Sequence, residues 1–166
     1  MRKNVICIMA AAVLLSSCAK EEPGGIEAFD AKTLFPEMAA AEFLQYTPVQ
    51  TYEDGYTKSV VRYDSEPIGK DPIIVELYSP NDIKTADDIY SEFKSKHDLR
   101  ADSEDITDYD AEAFLAYPSV NIYKDGYMAV VTAGSGSDEI QKQLLIEAGS
   151  VVAENLDACI KNHSAK

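Results

Sequence analysis

Few residues in this chain could do chemistry, and each can be weighed against its neighbours. The histidines are His97 and His163. Hydrolysis needs a base beside a nucleophile. His97 falls near the C-terminal end of an expected helix, where an imidazole compensates the helix dipole or packs against the core, and His163 falls in the tail. With Cys159 on the apolar stripe of a helix, neither a triad nor a zinc site assembles from these residues. The run Asp102-x-Glu104-Asp105-x-x-Asp108-x-Asp110-x-Glu112 is the one stretch suited to a hard cation, because calcium takes six to eight oxygen ligands. Its sixth position, which must turn sharply on Gly, is Thr107, and its twelfth is Ala113 where a bidentate Glu belongs. A solvated acidic loop is the favoured reading, with Asp102, Glu104, Asp105, Asp108 and Asp110 kept as metal-ligand candidates. Gly134-Ser135-Gly136-Ser137 invites comparison with a phosphate cradle. No Lys follows it, and Asp138 and Glu139 would repel a phosphate, so a helix cap is the better account. The expectation is therefore no cofactor, no resident metal and no catalytic group.

Composition narrows the partners. The full chain of 166 residues carries a net charge of −14. Such acidity opposes nucleic acid and anionic headgroups as direct ligands. The length allows one domain with one core.

The N-terminal residues supply the one chemical assignment. Arg2-Lys3 precede an apolar run from Val5 to Leu15, and Ser16-Ser17-Cys18 follow. A charged start, an apolar stretch of 11 residues and small residues at its end form the pattern of a secretory signal. A transmembrane helix would need about 20 apolar residues. Leu15-Ser16-Ser17-Cys18 resembles the lipobox of bacterial lipoproteins. The resemblance implies a diacylglycerol on the Cys18 thiol and cleavage before it, leaving an exported protein on the cell membrane, or on the outer membrane of a double-membrane organism. Loss of Arg2 and Lys3 would take the net charge from −14 to −16. Two acyl chains anchor stably where one is marginal, since each buried CH₂ contributes about 0.8 kcal/mol. The expected organisation is a signal over residues 1–17, the lipidated Cys18 and a polar tether over 18–30, a domain over 31–161 and a tail over 162–166. The 11 residues from Ala19 to Phe29 reach on the order of 40 Å when extended.

The domain reads as α+β. A helix is expected over Pro36 to Tyr46, burying Met38, Ala41, Phe43 and Leu44. Asp54-Gly55 and Asp125-Gly126 each read as a two-residue hairpin turn, because a type I′ turn needs positive φ at both central positions. Strands follow at about 47–53, 56–64, 72–78, 119–124 and 127–133, a sheet of about five. The second turn pairs Ile122 with Ala129 and Val120 with Val131. Helices are expected from the Thr85 N-cap to His97, briefly over Ala111 to Tyr117, and from Ser137 to Ile160. In the last, Ile140, Leu144, Ala148, Val151 or Val152, Leu156 and Cys159 face inward. The segment Asp98 to Asp110 is read as a loop. Tyr52-x-Asp54-Gly55-Tyr56 recurs as Tyr123-x-Asp125-Gly126-Tyr127, as two related units or as two hairpins converging on one turn type. Strands followed by helices give an antiparallel sheet covered by helices.

Ala111-Glu112-Ala113-Phe114, the Val120 to Tyr127 hairpin, the Gly/Ser break and the long final helix resemble small Gram-positive lipoproteins of unknown function with a PsbP-like α/β/α layout. That resemblance covers about residues 105–160 and implies a fold without implying catalytic residues. The functional expectation is a non-catalytic module of the envelope that binds a protein, peptide or glycan. A small hydrolase or metal-dependent enzyme on a degenerate scaffold is the alternative. Tyr123, Met128 and Val130 share one sheet face: a partner surface if that face is open, core if a helix covers it.

Overall fold

The structure, a computed structural model, describes residues 29–43, 46–53, 58–65, 72–80, 84–99, 103–133 and 139–164. Its elements run α1 (Ala31–Leu34), α2 (Glu37–Phe43), β1 (Tyr46–Glu53), β2 (Lys58–Ser65), β3 (Ile73–Tyr78), α3 (Ala86–His97), β4 (Ser103–Ile106), β5 (Glu112–Ala116), β6 (Ser119–Lys124), β7 (Tyr127–Ala133) and α4 (Glu139–Ser164). The fold is α+β. All seven described strands form one antiparallel sheet in the order β1-β2-β3-β7-β6-β5-β4.

The sheet has seven strands where about five are expected, because the segment between α3 and β6 supplies two of them, β4 and β5. Ala113, Phe114 and Leu115 are all buried, so their run lacks the polar alternation that marks a strand with one wet face. It forms β5 in place of the expected short helix. β4 lies inside the expected acidic loop, where Ser103, Glu104 and Asp105 gave no apolar signal because an edge strand stays exposed.

The sheet consists of two sequential meanders, β1–β3 and β4–β7, joined where β3 pairs with β7 from Ile73↔Ala133 to Tyr78↔Met128. In the β6–β7 hairpin, Lys124 pairs with Tyr127, and Ile122 with Ala129. Asp125 and Gly126 between them lie at φ 47° and 85°. Gly126 is doubly constrained, since a Cβ there would also meet Pro80 Cβ at 3.2 Å. Residues 54–57, with the first Asp-Gly pair, lie outside the described residues. The β1–β2 register sets Glu53 opposite Lys58, where a turn on Asp54-Gly55 would set it opposite Tyr56. A displacement of two residues keeps every side chain on its expected face. The two copies of the Tyr-x-Asp-Gly-Tyr motif therefore serve an outer hairpin in one case and a central one in the other, which does not match a repeat of one unit.

Helices cover both faces. On one, α1 and α4 pack over Val61, Val75, Leu115, Val120, Ile122 and Val131. Asp30 caps α1 by accepting from the Thr33 amide at 3.0 Å, and Phe29 packs against Tyr127 with ring centroids 5.1 Å apart. Phe29 and Asp30 thus belong to the domain and not to a tether. At the other end α4 continues through Ser164, into the expected tail. Its inward residues are Leu145, Ala148, Val152, Ala153, Leu156 and Ile160, while Leu144 and Cys159 are half-buried and the placement of Ile140's side chain is outside the described set. Gly149 lets α4 approach this closely: a Cβ there would lie 2.6 Å from Tyr109 Oη and 2.9 Å from Val120 Cγ1. α2 is shorter than expected; Met38, expected inward, is 80% exposed and Ala40 is buried, while Leu44 and the side chains of Ala41 and Phe43 lie outside the described residues.

Two predictions follow from this packing. Gly149→Ala would favour an isolated helix by about 1 kcal/mol, but overpacking costs roughly 1–3 kcal/mol, so the variant should show a lower urea midpoint; an unchanged or higher one would contradict the close approach. The second concerns alkali. Burial raises Tyr63, Tyr90 and Tyr109 above the usual phenol range, Tyr63 to about 12, with Glu37 and Asp30 adding to its shift. Tyr63 donates to the Phe35 carbonyl and Tyr109 to that of Ile146. A pKa raised by folding means stability is whole below the unfolded value near 10 and is lost as pH climbs past it. Phenolate absorbance from these residues should therefore appear together with loss of circular dichroism above that pH. Their ionisation at the ordinary value in a folded protein would refute the assignment.

Candidate functional site

The site is built by α3. Thr85 begins the helix with a reciprocal capping box: Asp88 N–H donates to Thr85 Oγ1 at 3.2 Å, and Thr85 N–H donates to Asp88 Oδ2 at 3.1 Å. The apolar line expected from the sequence, Ala86, Ile89, Tyr90, Phe93 and His97, lies on the second face of the sheet. That face carries Phe114, Met128 and Val130. Tyr90 stacks on Tyr123 at 4.9 Å and tilts against Phe114 at 5.5 Å.

This settles the place of the candidate partner face. Met128 and Val130 are buried beneath α3, and Tyr123 is half-buried with its hydroxyl donating to Asp87 Oδ1 at 3.0 Å. These three residues form core and present no open patch.

Where α3 ends, the helix and sheet leave a cavity of about 290 Å³. Phe93, Lys96 and His97 line it from the helix; Phe114, Ala116, Ser119 and Asn121 line it from β5 and β6. His97 is 5% exposed and Asn121 is 2% exposed. His97 Nδ1 and Asn121 Oδ1 are both buried without a hydrogen-bond partner, and they are the two such side-chain atoms among the described residues. Such a group costs about 1–3 kcal/mol unless something pairs with it. The two residues that carry these atoms, His97 and Asn121, both belong to the lining of this one cavity.

His97 is held through both its ring and its backbone carbonyl. Its ring lies 4.4 Å from the Phe114 centroid, Ser103 Oγ donates to the His97 carbonyl at 2.8 Å, and Nε2 lies 3.6 Å from Asp105 Oδ1 and 3.9 Å from Asp98 Oδ1. Asp105 also accepts from Lys94, whose ammonium holds its carboxyl below the usual range. A carboxylate only accepts, so Nε2 is the nitrogen placed to turn an N–H toward Asp105 and Asp98. Ser119 Oγ is 2.8 Å from Thr132 Oγ1.

The acidic run does not converge. Asp102 lies outside the described residues. Glu104 pairs with Lys142 at 3.1 Å, Asp105 with Lys94, and Asp110 with Lys124 at 2.9 Å, while Asp108 approaches the Thr107 hydroxyl at 3.5 Å. Among the described residues no group of three or more His, Cys, Asp or Glu side chains could hold a metal ion. A second cleft, of about 280 Å³, has Asp108, Asp110, Glu154 and Asp157 in its lining. Lys124 sits against it, bonded to Asp157 at 2.7 Å, and its ammonium holds the Asp157 carboxyl below the usual range. The Cys159 thiol is half-buried against the core, and burial pushes its pKa up, away from the reactive thiolate. His163 lies in the exposed last turn of α4. Cys18 and the Gly134 to Ser137 break lie outside the described residues.

Sequence reasoning named His97 as a helix-end residue and missed Asn121 altogether. A signal was present, since Asn121 falls on the same side of β6 as Tyr123, opposite Val120 and Ile122. No family model, no curated protein and no solved structure matches this chain.

Because Asn121 Oδ1 is unpaired, Asn121→Leu should stabilise the protein by roughly 1 kcal/mol or more, read as a higher urea midpoint at unchanged slope. A less stable variant would mean that Oδ1 is already paired in the native protein.

Proposed function

We propose that this chain is an exported lipoprotein, anchored by acyl chains on Cys18, whose domain is a non-catalytic binding module with its ligand site in the cavity at the end of α3. One observation carries the binding reading: the two residues with buried, unpaired side-chain atoms, His97 and Asn121, line one and the same cavity. A purely structural core would be more stable with apolar residues there, and retaining a destabilising polar pair is the mark of a site kept for use. The anchor rests on the Leu15-Ser16-Ser17-Cys18 motif, and no described helix is long and apolar enough to cross a membrane. The net negative charge keeps such a domain soluble and off an anionic surface. The leaflet would be the cell membrane or the outer membrane, and the cavity's size suits part of a peptide or glycan more than a protein surface.

The same cavity supports a second reading, an envelope hydrolase. His97 has the Asp105 carboxylate near one nitrogen, the other faces no partner, and Ser119 lines the same space. Weighing against it, the Ser119 hydroxyl is already bonded to Thr132 and Asp105 to Lys94. Ser119→Ala decides between the two: a binding module loses no turnover, whereas loss of hydrolysis of a simple nitrophenyl ester would establish the enzyme.

For the anchor, the native chain should take up radiolabelled palmitate and sediment with membranes, and Cys18→Ala should do neither. A Cys18→Ala chain that still sediments with membranes would defeat the proposal.

A further inference from the structure

We draw no further inference here: the strongest candidate, the acidic cleft with Asp108, Asp110, Glu154 and Asp157 in its lining, is a cluster of carboxylates of which Asp110 and Asp157 already pair with Lys124, and among the described residues no buried unpaired side-chain atom belongs to its lining to point to a ligand.

Discussion

The fold depends on the ladder between β3 and β7. Every other strand pairing joins neighbours in sequence, closed by a short connection or a hairpin. β3 and β7 are separated by about fifty residues, and their six paired positions weld two independent meanders into one sheet. Loop closure makes such a pairing the costly one to form. It is sustained because both strands are buried on both faces. Val75 and Val131 lie under α4 and α1, and Tyr78, Met128 and Val130 lie under α3.

From that ladder the helices take their places. The chain leaves β3 to form α3 on one face, and leaves β7 to form α4 on the other. α4 lies flush because Gly149 has no side chain to hold it off. α3 has 12 residues and ends at His97, before it has covered the sheet. The cavity is the part of the second face that this helix is too short to cover, floored by Asn121 and Ala116. His97 serves two ends at once: its ring seals the core over Phe114, and the residue forms part of the cavity wall.

Local chemistry made parts of this legible. Thr85 with Asp87 and Asp88 marks the start of α3, the alternation of Ile73, Val75 and Leu77 gives β3, and a two-residue turn at Asp125-Gly126 gives the β6–β7 register that is seen. The failures have physical causes too. α1, of four residues, is too short for periodicity to show. β5 is buried on both faces and loses its alternation, whereas β4, at the edge, has no apolar face to reveal. The phase of α4 slipped from Leu144 to Leu145 because Gly149, and not the apolar pattern alone, decides which side lies against the sheet. Asn121 was invisible as a site because its meaning depends on α3 stopping short, which depends on the whole sheet.

Phe29 and Asp30 fix where the chain enters the domain. Phe29 is seated against Tyr127, and α1 belongs to the layer of α4. The cavity belongs to the opposite layer. Any restraint transmitted along the preceding residues therefore acts on one side of the sheet, with seven strands standing between it and the pocket.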